Sequence, residues 1–152
     1  MRTLMCAALA AAAIVGGYAG VGPAQAQTAE RTYDNGPVWT IGYIETKPGM
    51  FDDYLAYLAG PYRVLQEAAK KRGDIITWKV LSVDSPREHE PDVILLTEFK
   101  NMAVFDRSLA ELDKDNTAAF GSNVKSNQAA VKREEIRVLR GGLTARELVF
   151  IK

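Results

Sequence analysis

Cysteine and histidine are nearly absent from this 152-residue chain, which contains one of each. Cys6 lies within the first 26 residues, so the sequence beyond them holds no thiol. That absence excludes a disulfide, a thiolate nucleophile and a cysteine-ligated metal from residues 27–152. With His89 as the sole imidazole, a protein-ligated zinc site would need carboxylates almost alone, so we predict no metal site.

An excess of charge is also missing, because 19 Lys and Arg residues balance 19 Asp and Glu residues. A nucleic-acid-binding protein needs a basic excess to replace the counterions on phosphates, so we expect no nucleic-acid partner. The sequence also lacks the dinucleotide pattern G-x-G-x-x-G, the phosphate loop and the hydrolase pattern G-x-S-x-G. No motif therefore identifies a reaction.

Residues 1–26 have the features of a secretory signal peptide. Arg2 precedes an uncharged, Ala-rich run over residues 4–18, and Ala24-Gln25-Ala26 forms the small-x-small pattern that signal peptidase cleaves. We predict cleavage after Ala26 and a periplasmic or secreted protein without stable membrane insertion. Retention as a single membrane anchor is the alternative, although glycines and a proline interrupt such a span.

The rest of the chain alternates between strand and helix patterns. Residues 27–37 are polar and contain the turn sequence Asp34-Asn35-Gly36-Pro37, so we predict a flexible lead-in before a single domain over 38–152. β-branched and aromatic residues predict strands over 38–46, 75–83, 93–99 and 143–151. Residues 84–92 are a polar connector, most simply a long hairpin loop.

Two helical regions separate these strands. Helical spacing of apolar residues predicts a helix from Met50 that bends at Gly60-Pro61 and stops at Gly73. A second helical pattern follows Asn101, which can cap it, weakens around residues 113–117 and then continues through Val138 to Gly141-Gly142.

The element order is therefore strand, helix, strand, strand, helix, strand. With right-handed crossovers, this order gives an α+β fold, a four-stranded antiparallel sheet with both helices on one face. The strands are apolar on both faces, whereas two helices can cover only one. A second copy related by a two-fold axis is the simplest cover for the other face, so we predict a homodimer.

This pattern resembles the dimeric α/β-barrel superfamily, in which two ferredoxin-like βαββαβ domains pair their sheets into a barrel. The resemblance covers residues 38–152 and depends on the element order and on three stretches, VWTIGYIETKPGMFDDYLAYL, DVILLTEFKNMAVFD and RGGLTARELVFIK. It is strongest with small exported members of unassigned role. The superfamily also includes cofactor-free monooxygenases, haem-processing enzymes and stress-response proteins, so the fold does not select an activity.

Five residues are candidates for chemistry. Glu98 and His89 are candidate catalytic bases, because Glu98 interrupts an apolar strand and His89 lies between two glutamates. Tyr43, Trp78 and Arg146 are candidate ligand-binding residues that could hold a flat molecule. The alternatives are structural: a solvated loop histidine, an ion pair at the edge of a subunit interface, and aromatic side chains in the core.

Three functions are compatible with these features. The first is an exported dimer that binds a small, largely apolar ligand. The resemblance adds a second, a cofactor-independent monooxygenase or isomerase that acts on a small aromatic substrate, and a third, a stress or interaction module without a pocket. We predict no cofactor, although haem is compatible with His89 as a ligand.

Overall fold

The structure is a computed structural model that describes residues 31–151. The predicted signal peptide lies outside the described residues. The strands are β1 (Tyr33–Thr46), β2 (Ile75–Ser82), β3 (Val93–Phe99) and β4 (Arg137–Phe150). The α-helices are α1 (Phe51–Tyr57), α2 (Arg63–Arg72), α3 (Leu109–Phe120) and α4 (Asn123–Arg133), with a π-helical turn at Leu58–Tyr62 and a 3₁₀ helix at Met102–Asp106. No helix between residues 31 and 151 is long and apolar enough to cross a bilayer.

The four strands form one antiparallel sheet in the order β2-β3-β1-β4. β1 is central and pairs with β3 from Val38 to Ile44, while its pairing with β4 runs from Tyr33 to Thr46. The chain order and the strand order together are those of the ferredoxin-like α+β fold, which confirms the predicted fold class. The 84–92 connector joins β2 and β3 as predicted.

The bend at Gly60-Pro61 is confirmed. The chain passes from α1 into a π-helical turn at Leu58–Tyr62, where Gly60 has non-helical angles (φ −95°, ψ −112°). Proline cannot donate to the helical ladder and its ring crowds the preceding turn, which accounts for this irregularity. α2 then ends at Gly73, whose left-handed φ of 83° suits glycine.

The core lies between this helical segment and one face of the sheet, which we call the helix face. Ile44 and Val93 of the sheet pack against Tyr54 and Leu58, and all four residues are buried. Because side chains alternate along a strand, the helix face holds the even-numbered residues of β1 from Val38 to Ile44 and the odd-numbered residues of β3. The opposite side is called the outer face.

The predicted lead-in over 27–37 is wrong for residues 33–37, since β1 begins at Tyr33. The turn-forming residues lie in a β-bulge between Asn35 and Val38, where the register against β4 shifts. A bulge tolerates Pro37, which has no N–H to donate. A Cβ at Gly36 would lie 2.9 Å from Val149 Cγ2, so a side chain here would force Val149 to shift.

The start of the last strand is also corrected, from residue 143 to Arg137. The helical pattern predicts that Gly141-Gly142 ends a helix, whereas these glycines lie inside β4. They adjoin a shift in register opposite Tyr43 and Ile44. Gly141 has a φ of 126°, and a Cβ at Gly142 would lie 2.9 Å from the carbonyl oxygen of Ile41. The glycines are therefore needed for the bulge and for close strand approach.

The second helical region differs from its prediction as well. Asn101 does accept a hydrogen bond from the Ala103 N–H, but it caps the short 3₁₀ helix. A capping box between Ser108 and Glu111 starts α3, which runs through the weak patch at 113–117 without a break. The break comes at Gly121, and Ser122 caps α4.

Candidate functional site

A cavity of about 490 Å³ lies on the helix face of the sheet and is open to solvent. Its floor is made where small residues of three adjacent strands meet: Thr40 and Gly42 of β1, Thr97 of β3, and Gly142 and Thr144 of β4. Gly42 pairs directly with Gly142, so no side chain rises from the centre of the floor. The volume lies within the usual range of small-molecule sites.

Tyr62 and Gln66 form the wall of the cavity on the helix side, and Leu95 and Phe99 add apolar surface. Tyr62 enters the cavity from the irregular turn at Gly60-Pro61, so the bend in the helix places this ring over the sheet. Burial raises the pKa of Tyr62, and the neighbouring Thr97 and Gln66 only partly oppose that shift. The phenol therefore stays protonated at neutral pH and can donate a hydrogen bond.

Trp78 supports this wall from behind. Its ring meets the Tyr62 ring edge-on, with 5.9 Å between centroids, and its Nε1 donates to Glu67 Oε1 at 3.1 Å. Edge-to-face packing fixes the orientation of both rings. The predicted ligand-binding residue Trp78 is therefore adjacent to the cavity and holds Tyr62 in place, although it does not line the cavity itself.

The lining contains no charged side chain. Its polar groups are threonine hydroxyls, one phenol and one amide, all of which can donate or accept hydrogen bonds without carrying charge. A site of this composition suits a neutral molecule with an apolar body and one or two polar atoms, because a buried ion would find no counter-charge.

Tyr43 and Glu98 do not join Trp78, because they lie on the outer face. Tyr43 pairs with Ile94, whereas Trp78 pairs with Thr97 of the helix face. Glu98 pairs with Trp39 on the outer face. The sequence could not resolve this division, since apolar residues occupy both faces of the strands.

The other two predicted residues, Arg146 and His89, do not line the cavity either. Arg146 pairs with Val38 towards the far end of β4 and is exposed. His89 lies in the β2–β3 loop with its side chain 69% exposed, and its Nδ1 is 2.9 Å from Arg140 Nη2. Arg140 also forms an ion pair with Glu45 at the end of the outer face. The five residues therefore do not form one site.

The sequence gives little signal for the floor of the cavity, because the floor residues are small. Thr40, Gly42 and Thr97 occur at helix-face positions of otherwise apolar strands, where a packed core would carry larger side chains. That spacing was a usable signal, but it requires the strand register, which the sequence does not supply. Tyr62, which is packed against the core cluster, is the aromatic residue of this lining that contacts both helix and sheet residues.

The outer face of the sheet carries a row of apolar residues. Ile41, Leu96 and Leu143 lie side by side across three strands, with Ile94 and Leu81 in the next row. Leu143 and Leu81, on the two edge strands of the sheet, are 45% and 42% exposed, so the outer face presents large apolar side chains to solvent.

Comparison with known structures gives matches that extend over most of the described chain. Protein SO0527 from Shewanella oneidensis is 14% identical, with a TM-score of 0.50 over 77% of this chain and 96% of that one. HapK from Hahella chejuensis is 8% identical, also with a TM-score of 0.50, over 72% of this chain and 91% of that one. A dimeric ferredoxin-like protein from an uncultured marine organism is 19% identical, with a TM-score of 0.46 over 76% and 98% of the two chains.

The chain has the ferredoxin-like fold. The order of the elements along the chain and the order of the strands in the sheet show this. No protein-family profile matches the sequence, and the comparison with curated proteins found no match. At these identities the similarity concerns architecture, so the function has to be argued from the cavity and the outer face.

Proposed function

We propose that this protein binds a small, neutral, largely apolar molecule in the cavity above the Gly42–Gly142 pair. The observation that carries the proposal is the pairing of two glycines, Gly42 and Gly142, which leaves about 490 Å³ beneath Tyr62. Apolar walls supply the affinity, and the phenol and hydroxyl groups orient the ligand.

Filling the cavity from its floor tests this proposal. A Cβ at Gly42 would meet only Leu95 Cβ, at 3.8 Å, and the position has ordinary strand geometry, so Gly42→Leu should fold and project into the cavity. Ala56→Leu adds the same kind of bulk on an exposed position of α1 and is the matched control.

The probe is 2-naphthol, a neutral aromatic alcohol. We expect it to raise the melting temperature of the wild type and of Ala56→Leu, by the equivalent of about 2.7 kcal/mol at a hundredfold excess over Kd. Gly42→Leu should show no shift. Absence of a shift in the wild type across a panel of neutral aromatic and lipid-like probes, or an equal shift in Gly42→Leu, would contradict the proposal.

An enzymatic function receives less support from the same geometry. Proton abstraction requires a base within hydrogen-bond reach of the substrate, and neither Glu98 nor His89 lines the cavity. Tyr62 carries the most acidic proton among the lining side chains, and its raised pKa makes it a donor and not a base. The pocketless interaction module is disfavoured by the cavity itself.

The proposed working form is a homodimer that buries the outer face. Apolar residues of this face such as Leu81 and Leu143 are exposed in the described part of the chain, and a two-fold partner would present the same surface. Leu96→Glu places a charge in the middle of the face, whereas Leu109→Glu places it on α3 at a leucine that is already 79% exposed.

Light scattering on the purified protein tests the dimer. The wild type and Leu109→Glu should have twice the mass of one chain, and Leu96→Glu should have the mass of one chain with an unchanged circular dichroism spectrum. A monomeric wild type at micromolar concentration would contradict the dimer.

Export is the remaining part of the proposal, and its support is the pattern in residues 1–26. Mass spectrometry of the protein recovered from a bacterial periplasm should show a chain that begins at Gln27. Recovery of the intact chain in the membrane fraction would favour the anchor instead.

A further inference from the structure

A second, smaller cavity of about 250 Å³ lies away from the sheet floor, between α1 and the end of α4. We call it the α4 pocket, and it is lined by Tyr57, Ala129, Lys132, Arg133, Glu135 and Ile136. We propose that the α4 pocket binds a small organic monocarboxylate through Arg133. This site is independent of the cavity on the helix face, because the two share no lining residue.

The guanidinium of Arg133 is held in position before any ligand arrives. Its Nη1 donates to the Tyr57 hydroxyl at 2.8 Å, and its Cζ lies 4.6 Å from the centre of the same ring. The Tyr57 ring in turn stacks on Tyr54, with 6.1 Å between centroids, and Tyr54 accepts a hydrogen bond from Arg137. A fixed guanidinium loses little side-chain freedom on binding, which favours affinity.

Arg133 and Lys132 carry charges that the described protein does not neutralise. No carboxylate of residues 31–151 forms an ion pair with either side chain, whereas Arg72 and Arg107 each contact two and Arg140 contacts one. The remaining N–H groups of Arg133 can therefore bind both oxygens of a carboxylate, which is the geometry that guanidinium prefers.

The wider surroundings favour an anion. Lys47 Nζ donates to the carbonyl oxygen of Glu134 at 2.6 Å, and Arg137 pairs with the Glu134 carboxylate at 3.3 Å, so two more cations lie beside this end of α4. Glu135 is the carboxylate among the lining residues, which also include Lys132 and Arg133. The lining thus has one surplus positive charge, which suits a monoanion better than a phosphate dianion.

The rest of the ligand should be apolar. Ala129, Ile136 and the ring of Tyr57 contribute apolar surface to the lining of the pocket. Burial raises the pKa of Tyr57, so its hydroxyl keeps a proton that it can donate to a second ligand oxygen while it accepts from Arg133. A carboxylate on a short aliphatic or aromatic body meets all of these groups.

Titration calorimetry with benzoate as the probe tests the proposal on the intact protein. We expect Arg133→Gln to weaken benzoate binding at least about tenfold, since charge-assisted hydrogen bonds are lost. Glu135→Gln should strengthen it, because a repelling charge is removed. Benzamide, the neutral analogue, should bind more weakly than benzoate to the wild type.

Two control variants distinguish binding in the α4 pocket from a general attraction to surface cations and from binding in the helix-face cavity. Lys71→Gln removes an exposed cation from the end of α2 and should leave benzoate binding unchanged. Gly42→Leu, which fills the other cavity, should also leave it unchanged, so failure of one site does not imply failure of the other.

Three results would overturn the inference: benzoate does not bind, benzamide binds equally well, or Arg133→Gln and Lys71→Gln weaken binding equally. Should Arg133→Gln fail to fold, the gain expected from the exposed Glu135→Gln decides the question.

Discussion

Replacing Tyr54 with Phe should destabilise the domain measurably although it removes only one oxygen atom. The Tyr54 side chain is fully buried, and its hydroxyl accepts a hydrogen bond from Arg137 Nη1 at 3.1 Å. The Arg137 side chain is only 11% exposed, and its Nε has no hydrogen-bond partner within the described residues. The substitution would leave a second N–H group of the buried Arg137 guanidinium without a hydrogen-bond partner. A buried donor without a partner has lost its hydration and gained nothing in return, which destabilises the folded state.

The size of the effect follows from that hydrogen bond alone. The ring is retained, so the packing against Leu58 and the cation–π contact with Arg137, whose Cζ is 5.6 Å from the ring centre, are kept. A hydrogen bond to a charged group contributes about 1.5–3 kcal/mol to the free energy of unfolding. Removing the hydroxyl also removes the cost of burying this polar group, which offsets part of that loss. We therefore expect a loss of about 1–2 kcal/mol, or roughly 4–8 °C in melting temperature for a domain of this size.

Thermal and urea unfolding followed by circular dichroism measure this loss. Tyr33→Phe is the matched control, because the Tyr33 side chain is 44% exposed and its change should stay within about 0.5 kcal/mol. Equal stability of Tyr54→Phe and Tyr33→Phe would refute the reasoning, since it would mean that water already satisfies Arg137 in the folded state.

Three further effects on stability are expected. Gly142→Ala should destabilise β4 more than Gly42→Ala, because its Cβ would lie 2.9 Å from a backbone oxygen while that of Gly42 has ordinary contacts; equal melting temperatures would contradict this. Ser108→Ala removes the N-cap of α3 and should cost about 1 kcal/mol in urea unfolding, and no loss would show that the cap is dispensable. Above about pH 10 the domain should lose stability, because the unfolded chain releases phenol protons that burial retains in the folded chain. Absorbance at about 295 nm should show that Tyr54, Tyr57 and Tyr62 ionise at higher pH than exposed tyrosines do. A single transition at the ordinary pKa of tyrosine would contradict this prediction.

The architecture was predictable because its signals are periodic and local. The apolar strand at 93–99, the bend at Gly60-Pro61 and the left-handed stop at Gly73 each depend on neighbours within a few residues. The errors came where glycine has two uses. Glycine can end a helix, but it also permits a β-bulge and the close approach of two strands. For Gly141-Gly142, only the pairing with β1 shows that the second use applies.

The site was less predictable for a different physical reason. A cavity is defined by side chains that are missing, and Gly42 and Thr40 attract no notice in a sequence search for acids, bases and rings. The sequence suggests Tyr43, Glu98 and Trp78 as members of one site because each is an aromatic or charged residue in a predicted strand. Their division between two faces depends on one-residue register, which apolar residues on both faces leave undetermined.

A crystal structure of the protein with 2-naphthol bound tests the central claim most directly. The account predicts that the aromatic body lies over Gly42 and Gly142, with its hydroxyl within hydrogen-bond distance of Tyr62, Gln66 or a floor threonine. Density for the ligand on the outer face or at the surface, with Tyr62 collapsed onto an empty floor, would contradict it.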